Sequence, residues 1–311
     1  MICRTSEHEV EVHCHGGQAA VETIWRGLAG AGCTPSTWQD LARQQQKDTI
    51  EAEARIALAE ASTQRTAAIL LDQMHGALRN ALQAIGNDIT AGRIDAARDA
   101  LSQLHARASA GLHLTTPFRV VLAGPPNVGK SSLINAILGY ARSIVFDQPG
   151  TTRDVLTALT ALEGWPVEFS DTAGLRVSSD DIEQQGVAAA RGRLREADLI
   201  VLVCDASVPV TREETALLEE FPQALVVENK CDLPRAAERA QSPRLWVSAA
   251  TGSGLADWIA QMLQRLLPAP LAAGDAVPFT PRQVSEIQAA AGALDANDGT
   301  AALAAIGRII W

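Results

Sequence analysis

Residues 124–131 read Gly-Pro-Pro-Asn-Val-Gly-Lys-Ser, and few short strings restrict a fold as tightly. The pattern G-x-x-x-x-G-K-[ST] has meaning only between a strand and a helix. Both are written here. The apolar run Phe118 to Ala123 predicts a buried strand. Leu133, Ile134, Ile137 and Leu138 recur at helical spacing and predict a helix over 131–138. Glycines at such a turn let the backbone wrap closely around phosphate oxygens, so that N–H groups and the helix N-terminus meet negative charge. In that frame Asn127, Val128, Gly129, Lys130, Ser131 and Ser132 form the phosphate contact set. Lys130 supplies a positive charge to the β/γ-phosphates, and the Ser131 hydroxyl is the expected Mg2+ ligand.

Three further strand-then-motif units follow in order. The run Pro166 to Ser170 leads into Asp171-Thr172-Ala173-Gly174. There a strand-end carboxylate suits Mg2+ through water, and the glycine N–H suits a γ-phosphate. Alone, a capped turn would give the same letters. The run Ala224 to Val227 leads into Asn229-Lys230-Cys231-Asp232. A carboxylate at Asp232 accepts from guanine N1–H and from the N2 amine. Adenine offers neither and would leave a buried acceptor unpaired, which is strong discrimination. Asn229 is expected to shape the loop and reach the base edge, and the Lys230 stem to cover the ring. The run Leu245 to Val247 leads into Ser248-Ala249-Ala250, whose backbone N–H groups suit guanine O6.

The order matches a Ras-like GTPase and predicts GTP rather than ATP. Between the loop and Asp171 lies Gly150-Thr151-Thr152-Arg153-Asp154. Thr152 is the expected second Mg2+ ligand, the alternative being a polar turn after Pro149.

Asn127, the run from Ser143 through Phe146, Asp147, Gln148, Pro149 and Gly150 to Asp154, and the run Asp171 to Arg176 resemble the bacterial tRNA uridine-modification GTPases, the MnmE/TrmE family. The resemblance implies a Ras-like α/β GTPase domain inserted in a discontinuous α-helical domain, behind a folate-binding α+β domain. It implies Mg2+-dependent, K+-stimulated hydrolysis of GTP to GDP as G domains pair into a homodimer. It implies K+ ligation by Asn127, Phe146, Gln148 and Thr151, the middle two through backbone carbonyls. Leu175 stands where Ras-like proteins place a water-orienting glutamine. The resemblance gives that task to Glu183, alongside Lys130 and Thr152 as catalytic groups. Read without it, Glu183 is an acidic residue in the first turn of a helix beginning near Asp181, favourable to the helix dipole.

The likeness continues outside the G domain. Thr5-Ser6-Glu7 and the run Glu11 to Gly17 resemble the end of the folate-binding domain. Asp48, Ala52-Glu53-Ala54 and Gly76 resemble the first long helices of the helical domain, and Leu303 to Ile309 resembles the approach to the family's C-terminus. There are departures. The family's folate-contacting lysine falls near Gln46, with Lys47 one place off, and the chain stops at Ile310-Trp311 where the family carries a cysteine motif needed for tRNA modification. Folate is therefore not expected as a cofactor. GTP hydrolysis carries over, whereas tRNA and a tRNA-modification partner protein are implied by the resemblance alone. Two alternatives stay open: a GTP-dependent scaffold that has lost tRNA modification, and an Era-like ribosome-assembly GTPase.

Composition bounds the remainder. The formal charge of −10, from 36 acids against 26 basic residues, opposes broad phosphate neutralisation and so argues against DNA as a partner. No apolar run approaches the roughly 20 residues of a membrane span, and no secretory leader is written at the N-terminus. Five cysteines without a Cys-x-x-Cys pair fit a reducing compartment. A cytoplasmic protein is expected. His13-Cys14-His15 lacks a second ligand pair nearby, so no zinc site is expected.

The expected organisation is a folate-domain remnant over 1–35, helices over 36–116, the GTPase domain over 117–267, a Pro/Ala/Gly-rich linker over 268–280 and closing helices over 281–311. Within the first helices, Ile56, Ala59, Thr63, Ile69, Leu70, Met74, Leu78 and Leu82 form an apolar stripe. Gly86 to Asp88 and Ala91-Gly92 are expected breaks.

Overall fold

The computed structural model describes residues 1–7, 9–45, 48–140, 157–171, 194–239 and 244–311. They form two compact units, Met1–Lys47 and Asp48–Trp311.

In the first unit, β1 (Ile2–Arg4) pairs antiparallel with β2 (Val10–Val12) in the register Ile2↔Val12. The Met1 ammonium donates to the His13 carbonyl at 2.7 Å and closes the hairpin. Two helices follow, α1 (Gln18–Gly30) and α2 (Trp38–Gln45).

The second unit opens with helices whose starts are written in capping residues. Asp48 accepts from the Ile50 and Glu51 N–H groups and begins α3 (Thr49–Leu58). Thr63 and Thr66 form a capping box at α4 (Gln64–Met74). Gly76 follows with φ 100, a left-handed value that suits glycine, and separates α4 from α5 (Ala77–Thr90). Next come α6 (Ile94–Ala106) and α7 (Ala108–Leu112). The apolar stripe is thus cut into three short helices, and Thr63 serves as a cap. The break expected at Gly86 to Asp88 does not occur. Gly86 lies inside α5, where a Cβ would stand 3.6 Å from Leu303 Cδ2. At that distance an added Cβ would make an ordinary van der Waals contact.

A six-stranded sheet then forms in the order β4-β5-β3-β6-β7-β8. Its members are β3 (Phe118–Ala123), β4 (Thr157–Leu162), β5 (Trp165–Asp171), β6 (Leu199–Asp205), β7 (Leu225–Asn229) and β8 (Leu245–Trp246). All pairings are parallel except the edge strand β4. The helices α8 (Lys130–Tyr140), α9 (Arg212–Glu220) and α10 (Leu255–Leu266) belong to the same α/β part. β3 lies between β5 and β6, so chain direction around the sheet reverses beside it. In parallel sheets ligands bind at such a point, beyond the carboxyl ends of the strands.

Two closing helices, α11 (Pro281–Asp295) and α12 (Gly299–Ile310), pack on each other. α11 also packs on α6, and α12 on α5 and α3. Arg282 grips Glu53 with two nitrogens, at 3.0 and 2.9 Å, and Gln283 adds a bond at 2.7 Å. Residues 268–280, expected as a linker, run pinned to the helices. Buried Gln73 donates to Asp275 O and accepts from Val277 N, while Arg107 donates to Ala276 O. Gly111 lies so close that a Cβ would meet Pro278 O at 1.8 Å. The turn joining β4 to β5 also reaches the helices. The Thr63 hydroxyl donates to Gly164 O at 2.6 Å, and Arg65 donates to Glu163 O at 3.0 Å.

Candidate functional site

The carboxyl ends of β3, β5, β6, β7 and β8 each deliver a polar group to one region. After β3 the chain turns at Gly124, whose φ is 146 and where a Cβ would meet Val203 O at 2.2 Å. No other residue fits so close to the neighbouring strand. The turn ends at Gly129, with φ 93 and room for no Cβ, since Asn229 Nδ2 would lie 2.4 Å away. Lys130 then starts α8. Its side chain is buried and donates to Gly124 O at 3.0 Å and Pro125 O at 2.9 Å, arching back over the loop. Ser131 Oγ donates to Asp171 Oδ2 at 2.6 Å. The end of β5 and the start of α8 are thereby joined by two oxygen ligands of the kind Mg2+ takes.

Opposite this loop sits the motif after β7. Asn229 is buried, donates from Nδ2 to Val128 O at 2.8 Å and accepts at Oδ1 from Ala249 N at 3.1 Å. It shapes the loop by tying three segments together. Lys230 adopts a left-handed φ of 64 and donates to Asn127 O at 2.9 Å. The Ser248 hydroxyl donates to Asp232 Oδ1 at 2.5 Å and accepts from Thr251 N at 3.1 Å, which aims the Asp232 carboxylate. Between the two loops lies a cavity of about 300 Å³ lined by Gly129, Ser132, Asn229, Lys230, Asp232, Ala249 and Ala250. Cys231 is half-buried, and its N–H donates to Val247 O at 3.1 Å. This volume, with convergent polar groups on its walls, suits a nucleobase.

Of the residues singled out in the sequence, Asn127 to Ser132, Asp171, Asn229 to Asp232 and Ser248 to Ala250 are brought together here. Phe146, Asp147, Gln148, Pro149, Gly150, Thr151, Thr152, Thr172, Ala173, Gly174 and Glu183 lie outside the described residues.

Further groups carry the site from behind. Asp205, ending β6, accepts Lys230 Nζ at 2.5 Å and the Ser207 N–H and hydroxyl at 2.9 and 2.6 Å. Burial pushes the Asp205 carboxyl up, but the bonds from Lys230 and Ser207 outweigh it and hold it below the usual carboxylate range. Glu228, fully buried one residue before Asn229, accepts from Arg235 at 2.8 Å and Arg239 at 3.4 Å. Arg239 also binds Glu214 on α9, and Arg244 donates to Glu214 at 3.0 Å. Burial pushes the Glu214 carboxyl up, yet bonds from Arg239 and the Cys204 thiol bring it below its ordinary value. Arg235 stacks on the Trp246 ring at 3.2 Å. One signal for this network stands in the sequence: a carboxylate inside the apolar strand Leu-Val-Val-Glu-Asn, followed by arginines at 235, 239 and 244.

The model of the 50S ribosome-binding GTPase family matches residues 119–230. The tRNA modification GTPase MnmE of Synechococcus sp. (strain WH7803) is 34% identical over 297 residues, covering 84% of this chain and 65% of that protein. The MnmE of Chloroflexus aurantiacus is 36% identical over 258 residues, covering 74% and 57%. The chain thus spans less than two thirds of the length of either relative. Among solved structures, Aquifex aeolicus Era is 26% identical over 56% of this chain and 66% of its own, with a TM-score of 0.38. The FeoB G domain of T. maritima is 27% identical over 48% and 98%, with a TM-score of 0.34. The sequence relatives and the motif geometry agree: this chain belongs to the MnmE/TrmE family of GTPases.

Proposed function

We propose that this chain binds GTP between the Gly124–Ser131 and Asn229–Asp232 loops and hydrolyses it to GDP and phosphate. The observation that carries this is the Ser131 Oγ to Asp171 Oδ2 contact of 2.6 Å, facing the Asn229–Lys230 clasp on the same loop. Lys130 is the group that meets the β/γ-phosphates, and Asp232 the group that reads guanine N1–H and the N2 amine. Asn229, Val128 and Ala249 hold the base wall in place. Mg2+, held by Ser131 and Thr152 with Asp171 acting through water, would neutralise charge developing between the β- and γ-phosphates.

The finer reading follows the family. Glu183 is the residue to position the attacking water, and Asn127, Phe146, Gln148 and Thr151 would hold K+, which would supply the positive charge that an arginine finger supplies elsewhere. Pairing of two G domains in a homodimer completes that arrangement. The α/β part is read as a GTPase domain inserted into a discontinuous helical domain, a view supported by the packing of α11 and α12 on α3, α5 and α6. A link to tRNA modification rests on the relatives' name and its wobble-uridine target on the family resemblance, and loss of the modified uridine on gene deletion is the test. For the hydrolytic mechanism, GTP turnover is measured in potassium and in sodium for wild type and Glu183→Ala. Sodium and the substitution should each slow turnover at least about tenfold. Equal rates in both salts with an unaffected Glu183→Ala would sink the mechanism and leave GTP binding standing.

A further inference from the structure

We propose that Asp205 is a positioning residue for guanine binding, acting through Lys230 to set the base wall before nucleotide arrives. The inference rests on the guanine reading of the Asn229–Asp232 loop and deepens it.

Asp205 ends β6 opposite Asn229 in the register of the sheet and is 8% exposed. Its two oxygens have separate duties. Oδ1 takes the Ser207 N–H at 2.9 Å and hydroxyl at 2.6 Å, which fixes the carboxylate. Oδ2 then takes Lys230 Nζ at 2.5 Å. The same ammonium reaches Asn127 O at 2.9 Å. One nitrogen therefore bridges a sheet end and the phosphate loop. A lysine side chain free in solution loses rotamer entropy on being fixed. Asp205 brings that ordering forward, before binding, which is preorganisation. The Lys230 ammonium, so placed, also holds the carbonyl of Asn127, a residue with a left-handed φ of 61.

This arrangement separates two parts of base recognition. Asp232 reads the edge of the base and is held by Ser248, not by Asp205. Lys230 covers the face of the ring. Loss of Asp205 should weaken binding without changing which edge is preferred. Hypoxanthine keeps N1–H but lacks the N2 amine, so GDP against IDP measures edge reading alone.

The test is equilibrium binding of GDP and of IDP to the full chain, for wild type, Asp205→Asn, Ser207→Ala, Lys230→Met and the Asp205→Asn/Lys230→Met pair. Asp205→Asn is expected to weaken both nucleotides by about tenfold, the size of one charge-assisted bond, and to leave their ratio unchanged. Ser207→Ala, which keeps the carboxylate but loosens it, is expected to weaken both by about threefold. In the Lys230→Met background, Asp205→Asn is expected to add nothing, because the two residues act as a unit. Unchanged GDP affinity in both Asp205→Asn and Ser207→Ala, a collapsed GDP/IDP ratio, or full additivity with Lys230→Met would overturn the proposal. A wild-type chain that prefers neither nucleotide would remove the guanine reading first, a different failure from any of these.

Discussion

Cys204 shows how far a residue's chemistry is set by what lies beside it. Its thiol lies inside β6 at 1% exposure and donates toward Glu214. Burial and the Glu214 carboxylate push it up to about 12. Folded and unfolded chains both keep the proton below about pH 9, so no stability difference arises there. Above that, the unfolded thiol ionises while the folded one does not. Stability therefore falls as pH rises from about 9 to about 12. The thiolate is the nucleophile, so iodoacetamide at pH 8 should label the exposed Cys14 and Cys33 and spare Cys204 until urea unfolds the chain. Mass spectrometry of the labelled peptides decides it; Cys204 labelled at the rate of Cys33 would refute the buried network. The sequence made Cys204 readable as a small buried thiol but gave no view of Glu214. Its partners Arg239 and Arg244 lie 25 and 30 residues on, a pairing that only the fold creates. Asp205 escaped notice for the same reason, since Lys230 stands 25 residues away.

Elements were legible where a single local signal decided them. β3 falls at the bounds its apolar run predicts, and α11 and α12 begin behind Thr280 and Asp298 caps. β4 was not, because Thr-Ala-Leu-Thr-Ala-Leu alternates weakly and the strand is an antiparallel sheet edge. Gly86 misled in the other direction, a glycine that lies inside α5 and makes no turn. The 268–280 segment shows the limit most clearly. Its Pro, Ala and Gly content reads as a tether, yet Val277 is fully buried and Gln73 on α4 serves as its hydrogen-bonding template. Composition reports backbone freedom in isolation and says nothing of a remote glutamine. Gln73→Leu keeps the volume but strands Asp275 O and Val277 N, each costing about 1–3 kcal/mol when buried unpaired. Urea unfolding should show a loss of about 2–5 kcal/mol. Limited proteolysis should find new cuts within 268–280. An unchanged midpoint would mean that the segment is held by its apolar residues alone.

At the scale of the whole molecule, the main buried apolar cluster runs from Ile50 through the helices and one face of the sheet to Ile310, with Ala123, Ile200, Leu202 and Ala224 in a separate smaller cluster, and it takes none of its described members from residues 1–47. α1 has no buried residue, although Val21, Trp25 and Leu28 are apolar. A compact unit with its own core folds as a unit. The helices before and after the α/β part share that core, so the closing helices are as necessary to it as the opening ones. A chain trimmed to residues 48–311 should therefore unfold in one cooperative step, with a melting temperature within about 2 °C of the full chain, a shift worth under 1 kcal/mol at this size. It should bind GDP with unchanged affinity, because Lys130, Asp171, Lys230 and Asp232 all take their described hydrogen bonds from inside that unit. Removing residues 281–311 instead should abolish cooperative unfolding, since it strips α11 and α12 from α3, α5 and α6. Calorimetry on the two trimmed chains separates the outcomes. Equal losses from both ends would mean that residues 1–47 contribute to the folding core after all.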